Sequence, residues 1–352
     1  MNPYPSREGY YFPAEWYPHE ATWLSWPHKE ASWPGSISAV YPAYSQFIRL
    51  LAEGERVCIN VCNPGMRQFA EDCLRQAGTD LSRVEFHLNP TNDAWCRDHG
   101  PAFLINPLAK DKKVIVDWDY NAWGNKYPPF NLDDDIPSRI GAFYHIPVYH
   151  PGIIMEGGAV DFNGDGTVLT TTSCLLNPNR NPHLIASKIE DYLKNYYGVS
   201  QVLWLEEGID GDDTDGHIDD LVRFINRDTV VTVMENNPAD INYEVLRINR
   251  LSLGKMRLPD GRSLNIVEIP MPSPIFREGM RLPASYANFY IANRAVIVPT
   301  FKDKNDQLAI GLLQNCFPDR EVIGIDSTDI IWGLGSFHCL SQQEPISPGP
   351  VG

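Results

Sequence analysis

The sequence is poor in positive charge. Its 29 lysines and arginines face 45 aspartates and glutamates, a formal net charge of −16. A surface of that sign repels phosphate backbones and anionic headgroups, so neither nucleic acid nor membrane is expected as a partner; small cations are attracted. There is no apolar run near the ~20 residues that a bilayer span requires. The first residues, Met1 to Trp16, lack the basic and apolar regions of a secretory signal. The seven cysteines are Cys58, Cys62, Cys73, Cys96, Cys174, Cys316 and Cys339, irregularly spaced and without a CxxC pair. That argues against a disulfide framework and a zinc ribbon, and it fits a reducing, cytoplasmic setting. Low-complexity runs are few. With 352 residues, 43% of them hydrophobic, the chain can bury a large core, and it reads as a single domain over 1–352.

What is present is a recurring pattern. Residues 1–35, rich in Trp, Tyr and Pro, read as a mostly irregular lead-in with short strand pieces. A helix over 37–51, a strand over 56–61, a helix over 65–77 and a strand over 84–87 follow from the apolar spacing. Then a polar head precedes a hairpin four times. Arg97-Asp98-His99-Gly100 leads into strands at 101–105 and 114–118. Glu156-Gly157-Gly158 leads into 159–162 and 167–171, with the turn Asn163-Gly164-Asp165-Gly166. Gly216-His217-Ile218-Asp219 leads into 221–225 and 229–233, and Ser285-Tyr286-Ala287-Asn288 into 289–292 and 295–298. Asn, Asp or Gly at the turns is hairpin chemistry. A fifth head is Gly333-Leu334-Gly335-Ser336-Phe337-His338-Cys339, where the glycines are expected to let the backbone carry Cys339 close to a substrate.

The heads recur at roughly 50 to 70 residues, the size of one supersecondary unit. Helices over 183–197, 239–251 and 305–316 lie between them, each followed by a strand, at 202–205, 264–268 and 321–325. The unit is ββαβ. Units that bury one face must stack or close, and closure into a five-bladed α/β propeller brings corresponding heads to one end of the axis. Asp98, Glu156, His217, Asp219 and Cys339 would then share a site.

That inventory is a thiol, an imidazole and several carboxylates. Thiol and imidazole suggest covalent catalysis with the histidine as acid and base. Carboxylates discourage a thiolate, so they would hinder a protease. They make sense if the substrate is a cation: two carboxylates grip a planar guanidinium, whose charge favours the thiolate. Each residue also has a blander reading. Asp98 beside Arg97 could be a surface ion pair, and Glu156 a turn carboxylate. The run Asp212 to Asp220 is calcium-loop-like, although the terminal Glu of that motif is missing, or it is a solvated acidic loop. No metal and no cofactor are expected.

The pieces Trp95-Cys96-Arg97-Asp98-His99-Gly100-Pro101, Trp123-Gly124-Asn125-Lys126-Tyr127, Glu156-Gly157-Gly158, Leu175 to Pro182, Thr214 to Asp219 and the Cys339 segment span nearly the whole chain. On them the sequence resembles the agmatine deiminase and bacterial peptidyl-arginine deiminase family of the guanidino-modifying pentein superfamily. The resemblance implies a five-bladed pentein, with Cys339 as nucleophile and His217 as acid and base. It implies that Asp98 and Asp219 grip the guanidinium, that Glu156 supports the cluster, and that Trp95 and Asp213 contact the amine end of agmatine. Cys96, Asp213 and Asp215 depart from the commonest residues, Met, Glu and Asn, of the agmatine enzymes. The implied reaction converts agmatine to N-carbamoylputrescine and ammonia in polyamine synthesis. A deiminase of peptidyl or free arginine is the rival, and a non-catalytic polyamine- or guanidine-binding protein is another. Self-association is left open.

Overall fold

A computed structural model describes residues 4–347. The outermost positions of the expected 1–352 domain, 1–3 and 348–352, therefore lie outside the described residues. Five sheets share one plan. Ala102–Ile105 pairs antiparallel with Lys113–Val116, which pairs in parallel with Val148–Tyr149. Asp161–Phe162, Thr167–Thr171 and Gln201–Leu205 repeat the plan, as do Val222–Phe224, Thr229–Met234 and Asn265–Pro270. So do Tyr290–Ile291, Ala295–Thr300 and Glu321–Asp326.

The plan follows from connection length. A tight turn can only reverse the chain, so each hairpin is antiparallel, whereas a parallel neighbour needs a crossover, which is a helix here. The crossovers include Ile136–Tyr144, Ala186–Tyr197, Asn242–Lys255 and Asp306–Cys316. The first of these is absent from the sequence reading.

The fifth sheet joins the two ends of the chain. Ser341–Pro345 runs antiparallel to His19–Ser25, which is parallel to Arg56–Asn60, itself parallel to Val84–His87. The crossover helix is Ile37–Ala52. Over 4–35 the lead-in is mostly irregular with a short strand, as expected, but that strand lies inside the sheet. His19–Ser25 is an interior strand with every residue but Glu20 buried. A strand covered on both faces shows no polar alternation, which hides it in the sequence. The tryptophans of that segment are core anchors: Trp23, Trp26 and Trp33 are fully buried, and the Trp33 Nε1 donates to the carbonyl of Ile330 at 2.9 Å. Among the described residues no helix is long and apolar enough to cross a membrane.

Candidate active site

The heads meet around one glycine. Gly158 follows Glu156 at the start of the turn Gly157–Ala159. A Cβ built on it would lie 2.5 Å from the His217 Nδ1, 2.9 Å from the Asp98 Oδ1 and 3.2 Å from the Asp219 Oδ2. Only hydrogen fits there, and the Gly158 amide donates to the Asp98 Oδ1 at 2.9 Å. Asp98, Glu156, His217, Asp219 and Cys339 are all buried.

Cys339 follows the turn Ile331–Gly333. Its Sγ lies 3.1 Å from the Asn288 Nδ2 and 3.7 Å from the Asp219 Oδ2. Asn288, in the fourth head, is itself held by Asp220, whose Oδ1 accepts from the same Nδ2 at 3.0 Å. The glycines before Cys339 serve a purpose other than the flexibility expected of them. Cβ atoms at Gly333 and Gly335 would lie 2.6 Å from the rings of Trp33 and Trp95, so these residues make room for indoles. Burial pushes the Cys339 thiol well up, and Asp219, Asp220 and Asp98 push it further.

Asp98 is gripped at its other oxygen by the Trp123 Nε1 at 2.9 Å. Burial raises its carboxyl to about 6; His217, whose Nδ1 is 3.8 Å away, opposes the rise, while Asp219 and Glu156 add to it. Burial would lower His217, but Asp98, then Cys174 and Asp219, hold it well above the usual imidazole range. Asp219 is the reverse case. Burial would raise it, yet the His338 imidazole, 2.6 Å from its Oδ2, holds it below the usual carboxylate range. Several polar atoms here have no protein partner: both ring nitrogens of His217, the Asp219 Oδ1 and the Glu156 Oε2. Buried groups left so are an open demand for a polar ligand.

A cavity of about 190 Å³ opens over Cys339 and Asp98. Trp95 and Trp123 wall it, and Asp213 and Lys29 stand along it. Trp95 stacks on Trp33 with centroids 5.2 Å apart. Asp213 accepts from the Tyr127 hydroxyl, and burial raises its carboxyl. Lys29 pairs with Asp93, another lining residue, at 3.3 Å.

The run from Asp212 to Asp220 does not form a calcium loop, because its carboxylates diverge. Asp212 caps the amides of Thr214 and His217, Asp215 binds Lys126 and Arg180, and Asp220 binds Asn288. Three donor groups, Glu156, Cys174 and His217, do cluster within 4.8 Å. The Arg180 guanidinium, 2.5 Å from Glu156, already supplies positive charge beside them.

Sequence reasoning missed the support of the site. Glu15 lies 2.8 Å from the His338 Nε2, 2.9 Å from Arg223 and 3.3 Å from Arg97, completing a buried chain Asp219–His338–Glu15. Arg180, Cys174 and Asn288 were likewise given no role. His338 precedes Cys339 directly, and that adjacency was the one available signal. Glu15 carried none.

The chain matches the Porphyromonas-type peptidyl-arginine deiminase family over residues 11–345. A protein of Legionella pneumophila subsp. pneumophila (strain Philadelphia 1), provisionally named agmatine deiminase, is 37% identical over 350 residues, covering 99% of this chain and 98% of its own. The solved agmatine deiminase of Enterococcus faecalis superposes with a TM-score of 0.89 at 33% identity over 97% of each chain. A solved C. jejuni agmatine deiminase with substrate bound gives 0.87, also at 33% identity over 97% of each chain. With the match running from the lead-in to the closing strand, this chain belongs to the Porphyromonas-type peptidyl-arginine deiminase family.

Proposed function

We propose that this chain is an agmatine deiminase, a hydrolase of the C–N bond of a linear amidine, producing N-carbamoylputrescine and ammonia for putrescine synthesis. The observation that carries the reading is that the Cys339 sulfur and Asp98 line a cavity whose charged lining is one lysine against three aspartates, with the buried Asp219 carboxylate 3.7 Å behind the sulfur. A guanidinium fits there, because it offers hydrogen-bond donors to both carboxylates and presents its carbon to the sulfur. The solved relatives named agmatine deiminases support the choice of substrate.

The chemistry then follows from the charges. In the free protein burial and then the surrounding carboxylates keep Cys339 protonated, and Asp98 foremost keeps His217 an imidazolium. The bound cation offsets the carboxylates and releases the thiol proton. The thiolate adds to the guanidinium carbon, His217 protonates the departing nitrogen, and ammonia leaves an amidino-cysteine. Water, deprotonated by His217, adds to that carbon, the C–S bond breaks, and the urea product departs. Asp98 and Asp219 hold the cation through both halves, Glu156 fixes Arg180 and the His217 side of the pocket, and Trp95 and Asp213 face the chain and amine of the substrate. The site works as part of one domain in which the five sheets are blades round a common axis, in the cytoplasm.

Arginine is the nearest competitor, since Lys29 lines the cavity and could meet a carboxylate. Its pairing with Asp93 argues for the amine instead. Ammonia release should be measured side by side on agmatine, free arginine and an arginine peptide, with Cys339→Ser as control. Agmatine is expected to be the best substrate by at least tenfold in kcat/KM, with turnover abolished in the variant. A preference for either arginine form would overturn the substrate, and ammonia from Cys339→Ser the covalent route.

A further inference from the structure

On the sheet that joins the two ends of the chain, away from Cys339, three side chains of different chemistry face one another. Cys58 lies in Arg56–Asn60 and is the register partner of Glu85 in Val84–His87. His87 is two residues on, and residues two apart in a strand share a face. Register thus gathers a thiol, a carboxylate and an imidazole. The Cys58 Sγ is 3.7 Å and the His87 Nε2 3.6 Å from the Glu85 Oε2, and all three donor atoms lie within 4.8 Å of one another.

A tetrahedral ion with metal–ligand bonds of about 2.0 to 2.3 Å separates its ligands by roughly 3.3 to 3.5 Å, close to these spacings. Thiolate, imidazole and carboxylate together suit zinc better than the hard cations, which favour oxygen alone. We propose that Cys58, Glu85 and His87 form a structural zinc site clamping Val84–His87, the outer strand of the sheet that joins the chain ends.

The surroundings are consistent with this. His87 is held in place by rings, with its centroid 4.8 Å from Trp23 and 5.3 Å from Phe143. The Tyr144 hydroxyl, 2.9 Å from the Glu85 Oε2 and 3.4 Å from the His87 Nε2, marks where a fourth ligand or a water would sit. Arg56, 3.4 Å from Glu85, is an opposing charge, and it can turn fully to Glu20, which it already meets at 3.4 Å. A bound metal would displace the Cys58 thiol proton to solvent and take the thiolate as ligand.

Cobalt(II) titrated into the full chain, stripped with EDTA and desalted, tests this. One equivalent should bind with a sulfur-to-cobalt charge-transfer band. The band should vanish in Cys58→Ser and persist in Cys339→Ser, which separates this site from the agmatine site. Zinc should raise the wild-type Tm by several degrees and leave Cys58→Ser unmoved, with agmatine turnover retained in that variant. Should Cys58→Ser fail to fold, Glu85→Gln, changed at an exposed side chain, should weaken cobalt at least tenfold. A wild type without the band, a band undiminished in Cys58→Ser, or cobalt affinity unaffected by Glu85→Gln would each overturn the proposal.

Discussion

Asp98 sets the acid side of the reaction. Its carboxyl, raised to about 6 by burial, must be ionised to receive a guanidinium, whose own charge does not change below pH 12. The protonated form predominates below the pKa, so kcat/KM for agmatine should fall about tenfold per pH unit below about 6. The bound cation stabilises the carboxylate, so the fall in kcat should lie at lower pH than the fall in kcat/KM. Initial rates from pH 5 to 8 check both, and coincident or flat profiles through pH 6 would count against the role of Asp98. Asn288 makes a different demand. Its amide stands between the Cys339 sulfur and Asp220, so it positions the sulfur rather than the substrate. Losing a hydrogen bond to a charged group costs about 1.5 to 3 kcal/mol, so Asn288→Ala should lower kcat by roughly 10- to 100-fold and leave KM nearly unchanged. A variant that loses agmatine affinity and keeps kcat would refute the assignment.

At the scale of elements, the turn Gly157–Ala159 is the least tolerant piece of the site. A methyl group at Gly158 would intrude on Asp98, His217 and Asp219 together, while the flanking hairpin strands are untouched. Gly158→Ala should therefore cost on the order of 100-fold in kcat/KM, since displacing reacting groups by about 1 Å has that effect, and lower Tm by a few degrees through overpacking. Near-wild-type kinetics would mean that the heads are not as tightly joined as the geometry says. The hairpins were legible because their turns are written locally, in Asn163-Gly164-Asp165-Gly166 for instance, and because 3.6-residue spacing marked Asp306–Cys316. His19–Ser25 was not legible: its partner Ser341–Pro345 lies at the other end of the chain, and burial on both faces erased alternation. The candidate site divides the same way. Asp98, Glu156, His217 and Cys339 sit at the heads of recurring units, whereas Glu15 reaches His338 across 323 positions, a contact that no local pattern announces.

For the whole molecule, an acidic chain that buries carboxylates should be most stable at a pH below neutral. Burial raises Asp98 and Asp117 to about 6 and Asp133 to about 7, so the folded protein takes up protons on these groups while the unfolded chain, near 4, is still ionised. More protons bound in the folded state means that stability rises as pH falls. His28, raised to about 9 by its hydrogen bonds with Cys62 and Trp26 against the opposing effect of burial, acts in the same direction: its stabilisation is complete below about 6.5 and lost as pH climbs to 9. His99 opposes them. Burial lowers it to about 3, so protonation of the unfolded chain below 6.5 draws stability away. The three aspartates offset His99, and His87, which burial also lowers, down to about pH 5, below which the unfolded carboxylates begin to titrate and carboxylates held low, Glu15 and Asp219 among them, start to lose their advantage. The Tm measured from pH 4 to 9 should thus peak between about 5 and 6 and decline toward 9. Guanidinium-bearing substrate, by neutralising the carboxylates around Cys339, should lift the alkaline side more than the acid side. A maximum at pH 8 would contradict the balance of buried groups, and a ligand-induced rise in Tm that grows toward acid pH would contradict a site whose carboxylates await a cation.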